Sequence, residues 1–400
     1  MVSSQVGFSC WRRSASALAV LSGLALGAFG CGSGDGIPRD GGTRDSGGPP
    51  DLGDGLDAAF GFPDAEVLAP VACAPAPVVQ YAASGLPLIE THPGAPVVLY
   101  IAYGGGLYEG SSSDTQYGGY NRSGSVDTYD AAEQQDIELS MMHLGHYFAM
   151  FDVNVTSDAA VRDAAEAWGW ILITEDGSGG SGVQSAAAIG TPANARSWSS
   201  GSTVRSENGD RSRRIAHELG HNFRLEHSGV WEGGVFYKWE DWPEWDRVYG
   251  PIMGGGGEGM RNGWANGHHE GDPDTLQDEL LLIAGHIEDI SSSADGFRPD
   301  DVPAGSVGVL CERDDGALTA QAILERQDDE DLFAFDWAGG NVTITVGPVD
   351  VSAALPVAEL VDAEGGSHAL TGALPAGRYA LRVRAPEEYA AIGSYAVVIE

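Results

Sequence analysis

One run of eleven residues constrains this chain more than any other: His217-Glu218-Leu219-Gly220-His221-Asn222-Phe223-Arg224-Leu225-Glu226-His227. On an α-helix, residues four apart share a face, one turn above the other. His217 and His221 can therefore present two imidazoles to one metal ion. Glu218, beside the first, is placed to take a proton from a water that the ion activates. Ile215, Leu219 and Phe223 form an apolar stripe that would bury the back of this helix. If the helix ends near Phe223, a sharp turn can return His227 as a third ligand. Three neutral histidines with one position left for water is the catalytic zinc pattern; a structural site closes all four positions. The chain has 10 His, so chance assembly of this spacing is expected on the order of once in a thousand such chains. The competing reading is a solvated polar helix without metal.

Charge narrows the partners. The 400 residues carry 21 Lys+Arg against 58 Asp+Glu, a formal net charge of −37. A phosphate backbone needs clustered bases, so nucleic acid is excluded as a partner. An anionic membrane surface would repel the chain for the same reason. Arg12 and Arg13 followed by the apolar run Ala15–Phe29 read as a secretory signal over residues 1–30. The run closes on Ala28-Phe29-Gly30-Cys31, which resembles a bacterial lipobox and makes Cys31 a lipidation site; simple cleavage with Cys31 a bystander is the alternative. Residues 31–75 read as a flexible acidic tether rich in Gly, Asp and Pro. The expected location is the cell surface or outer membrane through a lipid anchor, or otherwise secretion. Cys10 leaves with the signal. Cys73 and Cys311 remain, and two leftover cysteines in an exported chain are expected to pair.

Within residues 76–300, PVVLYIAY (96–103) reads as a buried strand. A helix is predicted from Tyr129 to Met150, capped by Asp127 or Thr128, with Ile137, Met141, Leu144 and Phe148 at helical spacing. Strands are predicted at 151–156 and 170–174, and a Gly/Ser-rich loop at 177–182. His143 and His146 read as packing or surface residues. His268-His269 and Asp272–Asp274 read as a loop, with a rim cation site as the alternative. The aromatics of 231–245 read as core of a smaller lobe, or as walls of a substrate pocket.

The spacing HExxHxxxxxH resembles the zinc signature of the metzincin metallopeptidases, H-E-x-x-H-x-x-G-x-x-H. Tyr249-Gly250-Pro251-Ile252-Met253-Gly254 resembles their Met-turn, with Met253 under the imidazoles. These motifs, with WANGHHEGDP and LQDELLLIA, look like a bacterial reprolysin-like or gametolysin-like branch over roughly residues 95–290. The resemblance implies an α+β catalytic domain: a twisted mixed sheet plus helices, with a smaller irregular lobe below the cleft. It also implies one catalytic Zn2+ on His217, His221 and His227, Glu218 as general base, and a protein or peptide substrate. Glu226 could orient an imidazole, or be merely solvated. The family Gly is Arg224 here, at a position where the chain should leave the helix with positive φ. A non-Gly residue there costs about 1–2 kcal/mol.

Residues 305–400 change character. LFAFDW, NVTITV, VAELVD, RYALRVRA and SYAVVIE alternate at period two between Gly/Pro turns, the pattern of an all-β sandwich. The segment resembles the bacterial pre-peptidase C-terminal module, which implies a jelly-roll-like fold. The run Asp328–Asp331 reads as solvated, with Ca2+ binding as the alternative. The expected molecule is a monomeric zinc metalloendopeptidase. The rival expectation is a catalytically inactive, surface-anchored binding protein on the same fold.

Overall fold

A computed structural model describes residues 69–75, 78–110, 113–125, 127–174, 180–182, 188–201, 204, 212–238, 249–254, 261–303 and 306–400. The predicted signal segment, Cys31 and most of the predicted acidic tether lie outside the described residues, as do Trp239, Trp242 and Trp245 of the aromatic stretch.

The first sheet has five strands in the order Val153–Thr156, Val97–Ala102, Ala167–Thr174, Ser197–Ser200, Gly180–Gly182. The first four run parallel and the last is antiparallel to its neighbour. Val97–Ala102 is buried along nearly its whole length, as expected of a parallel strand covered on both faces. The antiparallel edge, Gly180–Gly182, falls where the sequence predicted a loop. Three small residues give no periodic signal, and the pairing comes from Ser197–Ser199 alongside.

Helix α1 runs Ala131–Tyr147, shorter at both ends than predicted. Its start is fixed by Asp130, not by Asp127 or Thr128. The Asp130 carboxylate accepts from the N–H groups of Ala132 and Glu133, and Glu133 Oε2 accepts from Asp130 N–H at 2.8 Å. This reciprocal cap satisfies donors that a helix start otherwise leaves open. Ile137, Met141 and Leu144 are fully buried and Phe148 nearly so. After the short α2 (Ala159–Ala164), α3 spans Ser212–Asn222 and α4 spans Glu279–Ile290. Ile215, Leu219 and Phe223 are buried, so the predicted apolar stripe does face the core.

A separate antiparallel sheet has the order Val235–Lys238, Ser228–Glu232, Asn266–His269, Asp272–Asp278. The predicted loop at 268–274 is thus mostly hairpin, with an irregularity between His268 and His269.

The carboxy-terminal strands form two sheets. One has the order Val71–Ala72, Cys311–Glu312, Leu318–Leu324, Gly393–Ile399, Gly340–Pro348, Thr371–Leu374; the other Glu330–Trp337, Gly377–Arg384, Val357–Asp362, Ser367–His368. Phe333 of the second meets Tyr395 of the first edge-on, ring centroids 6.5 Å apart. Alternation of apolar residues therefore yields a sandwich, each strand turning one face inward. The core runs continuously from the parallel sheet into the sandwich. Two polar contacts reinforce the join: His143 Nε2 with Asp350 Oδ2 at 3.1 Å, and Arg261 donating to the Ala353 carbonyl at 3.1 Å.

Val71–Ala72 pairs in parallel with Cys311–Glu312, and a disulfide joins Cys73 to Cys311. The chain is therefore stitched to the sandwich before it enters the parallel sheet.

Candidate metal centre

The centre starts from the way α3 ends. Leu225 N–H donates to Gly220 O at 3.1 Å, and Arg224 N–H donates to His221 O at 2.9 Å. These are the crossed bonds of a Schellman cap, which needs a left-handed residue between them. Arg224 has φ 71. The sequence placed positive φ at this residue from the family Gly, and the backbone adopts it despite the Cβ. The cap reverses the chain, and His227 comes back over His217 and His221.

One potential ligand atom from each of the three imidazoles lies within 4.8 Å of the others. Ring centroids are 4.8 Å apart for His217–His221, 5.0 Å for His221–His227 and 5.2 Å for His217–His227. Each Nδ1 already has an acceptor. His217 Nδ1 faces Ile252 O at 2.8 Å, His221 Nδ1 faces Leu225 O at 2.8 Å, and His227 Nδ1 faces Glu270 Oε2 at 2.5 Å. A carbonyl can only accept, so Nδ1 carries the proton in the first two and the Nε2 lone pair is left for a metal. Burial pushes the His217 pKa down to about 3, and burial lowers that of His221 too. Both stay neutral, as ligands must. The donor set and its protonation fit Zn2+.

Met253 is fully buried, in the turn after Pro251. A Cβ on Gly220 would come within 2.5 Å of Met253 Sδ, so the glycine lets the thioether lie against the helix. The turn also supports two ligands directly: Ile252 O holds His217, and Met253 O accepts from Ser228 N–H, next to His227, at 3.3 Å.

Glu218 lies beside the cluster under the edge strand. A Cβ on Gly180 would fall 2.6 Å from Glu218 Oε1, so only glycine admits this approach. Burial raises the Glu218 pKa to about 7, against the lowering effects of the Lys238 and Arg214 charges and a Gly182 N–H bond.

Glu226 does not hold an imidazole. Its backbone is clasped by Gln277, Oε1 accepting from Glu226 N–H and Nε2 donating to Glu226 O, both at 2.8 Å. The orienting carboxylate is Glu270, which the sequence reading passed over. Its only signal was its place directly after His268-His269. Sequence proximity favoured Glu226, but the His227 ring turns toward the hairpin that carries Glu270.

Residues 95–228 match the family profile described as Metallo-peptidase family M12B Reprolysin-like. That segment is metzincin-like. The match covers the sheet, α3 and all three histidines. No curated protein matches the chain at a significant level. Among solved structures, the periplasmic inhibitor of g-type lysozyme from Salmonella Typhimurium, PliG, aligns at 18% identity over 21% of this chain and 89% of its own, with a TM-score of 0.16. So low a score has no bearing on the fold.

Proposed function

We propose that the chain is an exported zinc metalloendopeptidase that cleaves extended segments of extracellular proteins. One observation carries the reading: three imidazoles converge on one point, with a half-buried carboxylate at the adjacent helix position. A bound zinc would supply a Lewis acid that acidifies water and polarises the scissile carbonyl. Glu218 takes the proton from the attacking water at its carboxylate and delivers it to the leaving amine. Its apolar surroundings make it a stronger base than a solvated glutamate. The edge strand Gly180–Gly182 offers main-chain groups to an extended peptide, which would add as a further strand. The three imidazoles and the Met253 turn hold the centre rigid while the substrate exchanges.

The inactive alternative drew its support from Arg224. The left-handed turn is made at Arg224 with both capping bonds intact, so the substitution gives no ground for a decayed site. Export by the amino-terminal signal, lipidation of Cys31, a monomeric state and a pre-peptidase-type, jelly-roll-like sandwich complete the proposal.

The test is zinc content together with proteolysis. Purified mature protein should hold one zinc per chain and digest casein or gelatin, and Glu218→Ala should keep the zinc and lose the digestion. Absence of stoichiometric zinc, or equal digestion by wild type and variant, would overturn the reading.

A further inference from the structure

A second convergence of side chains lies far along the chain from the histidines, where the segment after α4 meets the turn that crosses from one sheet of the sandwich to the other. Asp300 and Asp301 come from that segment. Glu325 and Asp329 come from the turn between Leu318–Leu324 and Glu330–Trp337, and Asp331 from the start of the second of these strands. Oxygens of Asp300, Glu325 and Asp329 lie within 4.8 Å of one another, and so do those of Asp300, Asp301 and Asp331. Asp300 belongs to both sets, so the two are one cluster.

The predicted solvated run is therefore not solvated at its end: Asp331 is fully buried, and so is Glu325. The carboxylates are held in a common manner. A protein donor fixes one oxygen of four of them: Ile323 N–H to Asp301 Oδ2 at 3.2 Å, Asp301 N–H to Glu325 Oε1 at 3.3 Å, Glu325 N–H to Asp329 Oδ2 at 2.9 Å, and the Tyr395 hydroxyl to Asp331 Oδ2. The other oxygen of three of them, Asp301 Oδ1, Glu325 Oε2 and Asp331 Oδ1, is buried without a hydrogen-bond partner. Buried acceptors without partners are costly and uncommon. Three in one cluster, each on a carboxylate braced through its second oxygen, make a cradle for something positive.

Arg298 is buried nearby, and its charge acts on Asp301 and Glu325. One guanidinium does not balance five carboxylates. Three buried, unpartnered carboxylate oxygens beside a single guanidinium leave room for a further positive charge.

We propose that this junction is a calcium site, in which Asp300, Asp301, Glu325, Asp329 and Asp331 hold at least one Ca2+ between the catalytic region and the sandwich. The donors are all oxygen, which selects a hard cation over zinc. Ca2+ accepts six to eight oxygens in irregular geometry, whereas Mg2+ keeps several waters and is seldom caged by protein alone. The ion would fasten the 300–301 segment to the turn between the two sheets of the sandwich.

The test uses the mature chain, stripped of divalent ions and reloaded with one equivalent of Zn2+, with Ca2+ titrated by calorimetry and Tm followed in parallel. Saturable binding is expected, with Tm rising by roughly 5–10 °C at a hundredfold excess over Kd. Mg2+ at the same concentration should leave Tm unmoved. Glu325→Gln combined with Asp331→Asn should weaken Ca2+ binding at least about tenfold while zinc content stays at one per chain. Should that pair of changes prevent folding, Asp300→Asn alone should still weaken Ca2+ binding measurably. Absence of Ca2+ binding by the wild type, unchanged binding in the variants, or an equal response to Mg2+ would overturn the assignment. Neither readout involves peptide hydrolysis, so the proposal stands or falls independently of the protease reading.

Discussion

The histidine cluster takes its members from eleven consecutive residues, whereas the acidic cluster takes them from two segments, 300–301 and 325–331. At the first, each imidazole has its Nδ1 directed to a protein acceptor and its other nitrogen turned inward. At the second, four carboxylates each have one oxygen fixed by a protein donor. The same device, bracing one atom so that its twin is aimed, serves nitrogen donors in one place and oxygen donors in the other. The donor chemistry then separates them: neutral imidazoles suit Zn2+, and anionic oxygens suit a hard cation. The clusters should therefore fail separately.

His221→Ala is the largest intended break. It should abolish zinc binding and digestion of casein, since a two-histidine remnant cannot hold the ion. The Ca2+-dependent rise in Tm should survive it. Zinc measured by atomic emission, beside melting curves with and without Ca2+, checks both halves. A joint loss would show that the two clusters are not independent.

Glu270→Gln should act more mildly. It leaves every ligand in place but removes the carboxylate that orients His227. Zinc affinity should fall about 10–100-fold, measured by competition with a chromophoric chelator. Glu226→Gln, at the position favoured by sequence proximity, should change it far less.

A third prediction concerns a buried acid outside both clusters. Glu279 accepts from Ser228 Oγ at 2.6 Å and from Ala265 N–H at 2.8 Å, and burial raises its pKa from 4.5 to about 8. The folded state thus binds more protons than the unfolded state across that window. Stability contributed by this group should fall as pH rises from about 4.5 to about 8, by at most about 1.4 kcal/mol per pH unit. Urea melts of Glu279→Gln across the window should show a shallower slope than wild type. An unchanged slope would contradict the assignment.

Arg224→Gly is expected to have the smallest effect. Relief of the left-handed strain is partly offset by the greater freedom of glycine in the unfolded chain. A net gain of about 0.5–1 kcal/mol is expected, with zinc content and kcat unchanged. A loss of stability would mean that the Arg224 side chain contributes more than its backbone costs.

The contrast between the clusters also explains what could be read from the sequence. The helix, its apolar stripe, its end near Phe223 and the left-handed Arg224 were all legible, because each depends on neighbours within one or two turns. Pairing of Cys73 with Cys311 was legible from the cysteine count and the expected export, and the sandwich strands from their period-two pattern. The cap at Asp130 was missed by two to three residues, since several Asp and Thr side chains compete there and the Glu133 reach-back decides. Strand Gly180–Gly182 had no signal of its own and exists by virtue of its partner. Glu270 and the burial of Asp331 were illegible for one reason: both depend on which hairpin or segment folds over which. Local patterns do not encode that.

The bond between Cys73 and Cys311 has a consequence for the molecule's own survival. It closes a covalent ring that contains the whole parallel sheet, the three histidines and Met253. If the chain is the exported protease proposed above, it is exposed to its own copies and to those of its neighbours. A single cut anywhere inside the ring opens a loop but releases no fragment, and the two cut ends remain on one scaffold. Such nicking would stay hidden on a non-reducing gel and show as two bands once the bond is reduced. Damage to the chain and loss of its pieces are thereby made separate events, and the second requires either two cuts or a reductant.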